Sequence, residues 1–373
     1  MLRSLKPKKE RLLYKLYEYD GIKIIAVKNK YSNYMSYSRR MISFFKFMLL
    51  SSWIALKERN IDIIFATSTP LTVAVPALIV NKIKKVPYVF EVRDLWPEAP
   101  IQLKAIKSPL LIKLLRKFEL MVYKNSRHII ALSPGMEEGI LKTGVDKNKV
   151  TMIPNCSDLD LFNRHSLPDK DLIDKYQLKD KFIVLHAGSM GVANGLDYII
   201  EAARLLGNDS NIVFILAGDG SQRPFLSRLC EQYGLSNVIM TGPVPRKLMP
   251  QYFALSNITI TSFANIPILS TNSPNKFFDS LAAGKPVIVN SPGWTKDLVL
   301  KYNIGFYVDP EKPSELAKLL LELKENKYDL EEMGKRAREL AETQYNRITL
   351  ASKLEAVLQK VYRDEYERKV KPR

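Results

Sequence analysis

The stretch "FIVLHAGSMGVANGLDYIIEAARLL", residues 182–206, decides the fold. A β-branched apolar run ends at Ala187, glycines follow as Gly188, Gly191 and Gly195, and Leu196, Ile199, Ile200, Ala203 and Leu206 then recur at helical spacing. Strand, glycine-rich turn and amphipathic helix in that order open a βαβ unit. Such a turn lets backbone N–H groups approach a phosphate at the helix N-terminus, although glycine-rich turns that bind nothing are equally common. It is not G-x-G-x-x-G with an acidic residue at the proper distance, so a nicotinamide cofactor is not supported. The chain also lacks a G-x-x-x-x-G-K-[ST] loop, which disfavours an ATPase.

The same alternation runs outward in both directions. Short β-branched runs at 21–27, 61–68, 87–94, 127–133 and 150–155 precede the opening stretch. Runs at 211–219, 237–242, 258–263, 285–290 and 305–309 follow it, with helix-length amphipathic segments between. The expectation is an α/β protein with two parallel, doubly wound sheets, in domains 1–163 and 180–350. The polar segment 158–181, which contains Pro168 and His165, reads as the linker. Residues 351–373 read as an amphipathic helix with a basic tail, its Leu354, Val357, Leu358 and Val361 set to pack.

At 373 residues and 46% hydrophobic content the chain can bury two cores, which excludes a disordered tail or fibre. Cys156 and Cys230 lie far apart, and His128, His165 and His186 are scattered. That pattern suggests neither a disulfide scaffold nor a metal site. The first twenty residues are charged and lack the apolar centre of a signal peptide, so a cytoplasmic location is expected. The apolar segment 41–56 is too short to span a bilayer and contains Lys46. It reads as a packed helix, with membrane-surface contact as the sharper alternative. Residues 1–165 carry a net charge of +15 of the total +18. That half therefore faces an anionic lipid or phosphorylated acceptor, or is merely kept soluble by its lysines. No nucleic-acid motif accompanies the charge.

In "STNSPNKFFDSLAAGKPVIVN", residues 270–290, Lys276 and Asp279 share one face if 275–283 is helical, between two strands whose carboxyl ends border a ligand crevice. There the lysine suits a diphosphate and the carboxylate a pair of sugar hydroxyls. An ordinary surface ion pair is the alternative.

These residues carry a family resemblance. Taken in order, "VFEVRDLWPEAP", "VTMIPNCSDLDLF", "HAGSMGVANGLDYIIEAARLL", "ILAGDGSQRPFLSRLCEQYGLSNVIMTGPVP" and "NSPNKFFDSLAAGKPVIV" resemble the family-4 retaining glycosyltransferases. Within that group the likeness is to the O-antigen and capsule branch that includes fucosamine transferases. The resemblance implies the GT-B fold, two Rossmann-like domains facing a cleft. It implies a nucleotide-sugar donor, UDP-linked, in the second domain, and a polyprenyl-diphosphate-linked saccharide acceptor at the inner face of the cell membrane. No cofactor or metal is implied. Asp279 stands at the family's second glutamate, which holds the ribose, while Thr271 replaces the first, leaving Asn272 and Ser273 to contact the sugar. Ser189 and Asn194 occupy the places of an arginine and a lysine that stabilise the departing diphosphate. Lys276 and Arg246 are then the candidates to supply that charge. Arg93 and Asp94 stand where relatives have His-Asp near the reacting sugar. Asn155 and Asp158 match an element of interdomain architecture. The resemblance also implies that a first strand and a glycine-rich loop are missing, with 21–27 corresponding to the relatives' second strand. A sugar-nucleotide epimerase and a non-catalytic donor-binding subunit are the alternatives.

Overall fold

The computed structural model describes residues 5–32, 34–163, 167–208 and 211–370; His165 and residues 371–373 of the basic tail lie outside them. The chain begins with a small antiparallel sheet of β1 (Lys9–Glu10), β2 (Tyr14–Tyr19) and β3 (Ile22–Val27). This corrects the expectation for 21–27, which joins no parallel sheet. Asp20 and Gly21, at φ 49° and 75°, form the two-residue turn that folds β3 back on β2, pairing Tyr19 with Ile22. The helix Tyr37–Lys57 follows and packs against the helix Ala74–Lys84.

β4 (Ile64–Thr67), β5 (Tyr88–Val92), β6 (His128–Ala131) and β7 (Val150–Met152) form a parallel sheet in chain order. Because β3 is paired elsewhere, no strand beyond β4 reverses that order among the described residues, and the sheet is not doubly wound. Its core is built on Tyr88, Phe90, Ile129 and Ile130, all at most 1% exposed.

The second sheet contains β8 (Phe182–Ala187), β9 (Ile212–Ala217), β10 (Val238–Gly242), β11 (Ile258–Thr261), β12 (Val287–Val289) and β13 (Gly305–Tyr307). All are parallel, in the order β10-β9-β8-β11-β12-β13, and every run expected in this half is a strand. The order reverses between β8 and β11, which opens a crevice beyond their carboxyl ends. On the helix Asp197–Leu206, Ile199, Ile200 and Ala203 are fully buried against this sheet, on the face the periodicity marked.

The chain crosses from the first sheet to the second near Ser157 and returns near Asn346. The two crossings touch: Ser157 bridges to Asn346, its N–H donates to the Tyr345 carbonyl at 2.9 Å, and its Oγ donates to the Phe278 carbonyl at 2.8 Å. Beyond the return, the helix Arg347–Val370 leaves the second unit and lies on the first. Its Leu350 and Val361 are buried in the first core, Leu354, Val357 and Leu358 pack against it, and Glu365 pairs with Arg127 at 2.9 Å.

Candidate active site

A cleft of about 530 Å³ separates the carboxyl ends of the two parallel sheets. Each wall is set by strand-end geometry. Gly188 follows β8 at φ +156°, and a Cβ there would stand 3.4 Å from Lys276 Cε; its missing side chain gives the lysine room. Gly195, at φ +54°, lies against the Ala264 backbone, where a Cβ would sit 2.8 Å from the nitrogen. Behind that backbone the buried Asn290 amide accepts from Phe263 N–H at 2.8 Å and donates to its carbonyl at 2.9 Å. The turn after β8 and the loop after β11 are thus locked together at the point where the strand order reverses.

Lys276 and Asp279 lie on the helix Asn275–Ala282 and both face the cleft. The Lys276 ammonium donates to Asn194 Oδ1 at 2.5 Å and lies 5.6 Å from the centre of the Phe263 ring. No carboxylate is within ion-pair distance of it among the described residues, and burial pushes its pKa down to about 7. Asp279 is 6% exposed and accepts two parallel hydrogen bonds from Arg246, both at 2.9 Å. The pair favours charge on both partners. For the half-exposed Arg246 that raises the pKa further, whereas burial outweighs it for Asp279, whose carboxyl is pushed up. The guanidinium proposed to meet a diphosphate is therefore occupied by the carboxylate proposed to meet a ribose.

Across the cleft, Asp94 follows β5 and accepts from Thr69 Oγ1 at 2.7 Å; burial raises its pKa against that bond and the neighbouring Arg93 charge. Arg93 is held by an ion pair to Glu91 at 3.7 Å. Ser189, Asn272 and Ser273 also line the cleft. Gly191, Asn194 and Gly195 do not; Asn194 acts from behind by holding Lys276, and the glycines shape the turn. Thr271 points away from the cleft: its methyl meets Gly135, and its carbonyl accepts from Ser133 Oγ. Asn155, left outside the chemistry by the sequence, lines the cleft and ties the domains, its amide donating to the Ser273 carbonyl at 2.5 Å. Thr69, whose only signal is its place in "ATSTP" after a strand, was not singled out. His186 is fully buried below the turn, and burial with the nearby Lys276 charge holds it neutral. No group of three His, Cys, Asp or Glu side chains suited to a metal ion occurs among the described residues.

The Lys276 environment sets a pH dependence with two opposite signs. Between about 7 and its ordinary value of 10.5 the unfolded chain binds a proton that the folded chain does not, so this group makes stability rise with pH across that window. A bound diphosphate favours the ammonium, so nucleotide affinity is expected to fall as pH rises through 7. Calorimetry at about pH 8 in buffers of different ionisation enthalpy should show proton uptake on binding, and none in Lys276→Ala.

A second sheet whose strand order reverses at the site, facing a first parallel sheet across a cleft with cations on both walls, sets a two-domain α/β architecture of the Rossmann-like kind. Residues 169–340 match the model for glycosyl transferases group 1, and residues 20–156 match the glycosyl transferase 4-like domain. The chain thus has the domain content and GT-B fold of these glycosyltransferases. Its similarity to individual proteins is low. It is 24% identical over 193 residues to the alpha-D-kanosaminyltransferase of Streptomyces kanamyceticus, covering 51% of this chain and 49% of that protein. It is 26% identical over 186 residues to a putative colanic acid biosynthesis glycosyl transferase, WcaI, of Escherichia coli K12, covering 48% and 44%. These matches span about half the length of the curated relatives. Among solved structures, Anabaena HepE in complex with UDP and glucose superposes with a TM-score of 0.69 at 18% identity, covering 83% of this chain and 81% of that one. The matches lend no support to an epimerase.

Proposed function

We propose that this protein transfers a sugar from a UDP-linked donor to a polyprenyl-diphosphate-linked saccharide, with retention, during cell-surface polysaccharide synthesis at the inner membrane face. The observation that carries the reading is the buried Lys276 ammonium beneath the glycine turn, with no carboxylate partner among the described residues and on one helix face with Asp279. A fixed cation in a low-dielectric cleft stabilises charge as it develops on a departing diphosphate, at no cost of reorganisation during the reaction. Asp279 receives the ribose, and Arg246 turns from Asp279 toward the diphosphate as the nucleotide enters. Arg93 and Asp94 face the transferred sugar from the acceptor side. The UDP choice is supported by the solved relative with UDP bound, and the polysaccharide role by relatives named for colanic and teichuronic acid biosynthesis. The closer likeness to the O-antigen and capsule branch, fucosamine transferases included, is part of this proposal.

Calorimetric titration with UDP, GDP, ADP and CMP tests the donor site. UDP should bind at least tenfold more tightly than the others. Preference for another nucleotide would replace the donor assignment, and binding of none by folded protein would remove it.

A further inference from the structure

The helix Tyr37–Lys57 has one face against the protein and one without a partner among the described residues. Ser43 and Ser52 are buried, whereas Ile42, Phe45, Leu49 and Trp53 are 68%, 59%, 54% and 43% exposed. Those four follow one another by three or four residues and so form a single apolar stripe. Along one flank of the stripe run Arg39, Lys46 and Lys57, the last with its ammonium 3.5 Å from the centre of the Trp53 ring.

Beside the stripe, a hollow of about 480 Å³ is lined by Lys28, Lys30, Arg39 and Lys46. Lys28 pairs with Glu10 at 2.7 Å, but Lys30, Arg39 and Lys46 have no carboxylate within ion-pair distance among the described residues. The hollow is rigidly built. Asn29 donates to the Ser43 carbonyl and hydroxyl, both at 2.8 Å, and Tyr31 stacks on Phe44 at 5.6 Å. Three residues further on, Tyr34 donates to Asp219 at 2.6 Å, reaching the loop after β9 in the second domain. The Asp219 carbonyl in turn accepts from Met190 N–H at 2.9 Å, in the glycine turn of the cleft. The apolar stripe and its cations are therefore anchored beside the cleft.

We propose that this face docks on an anionic phospholipid bilayer, with Ile42, Phe45, Leu49 and Trp53 at the acyl boundary and Lys30, Arg39 and Lys46 among the phosphate headgroups. The inference rests on the membrane-borne acceptor proposed above and names the surface that would bring the cleft to it. No helix among the described residues is long and apolar enough to cross a membrane, and an amphipathic helix with an aromatic face and basic flank suits the interface instead. Charge argues against a second copy as the occupant, since two such faces would bring unpaired cations together.

Sedimentation of the full chain with vesicles tests this. Binding is expected with about 30 mol% phosphatidylglycerol in phosphatidylcholine and not with phosphatidylcholine alone, weakening as salt rises. Arg39→Ala and Lys46→Ala should each reduce partitioning roughly fivefold, and Phe45→Glu with Trp53→Glu more than tenfold. UDP binding, measured in parallel, should be unchanged in all variants and reports that they are folded. Equal binding to both vesicle types, or undiminished binding by both variant sets, would overturn the proposal. So would a dimer in light scattering that Phe45→Glu dissociates, since the stripe would then be a contact between copies. Loss of UDP binding by wild-type protein that still binds vesicles would sink the donor assignment and leave the docking surface standing.

Discussion

Lys276→Ala should lower the rate of sugar transfer by about 10²–10³-fold, the scale on which removal of one fixed charge-stabilising donor acts. Its thermal midpoint should not fall. Among the described residues the ammonium has no carboxylate partner and donates to Asn194, so its removal relieves the cost of holding a cation out of water. A structural lysine would behave in the opposite way, losing stability with only a small change in rate. Initial rates together with a melting curve on the same preparation separate the two, and near wild-type activity would remove the central support for the proposed mechanism.

The second large effect concerns the Arg246–Asp279 pair, whose two single variants should fail differently. Asp279→Ala removes the proposed ribose acceptor and is expected to weaken UDP binding roughly 10- to 100-fold, the range for hydrogen bonds to a charged group. It should cost little stability, because the freed Arg246 side chain is already 54% exposed and can be hydrated. Arg246→Ala leaves a carboxylate at 6% exposure without its bidentate partner. A loss of about 1–3 kcal/mol is expected, below the usual range for a broken buried pair because one partner reaches solvent. The double variant should be more stable than Arg246→Ala alone, a coupling that denaturant melts of the four proteins measure. Additive stabilities would mean that the pair does not hold the helix Asn275–Ala282 against the β10 end.

What was legible in the sequence follows the range of the interactions. Strand runs such as "FIVLHAG" and "NIVFILAGD" are buried on both faces and carry their own signal in unbroken β-branched residues. Lys276 and Asp279 were legible as a pair because one helical turn joins them. Arg246 was picked as a cation, but its attachment to Asp279 joins residues 33 apart in different elements, and no local pattern encodes it. Thr271 was taken only as the site of a lost glutamate; its contact with Gly135 depends on how the domains meet. The misplacement of 21–27 is of another kind, since Asp20-Gly21 between two alternating runs is a hairpin signal. There the expectation of a continuous parallel sheet overrode a turn that the chain states plainly.

The last helix has a consequence for how the molecule is made. Leu350 and Val361 complete a core whose other members precede residue 154, apart from those on the loop after β11. A ribosome adding roughly 5–20 residues per second needs on the order of 10–40 s to deliver that helix after the fourth strand of the first parallel sheet has emerged. Throughout that interval the nascent first domain must keep an apolar seam open, and it closes only after the whole second domain has been made.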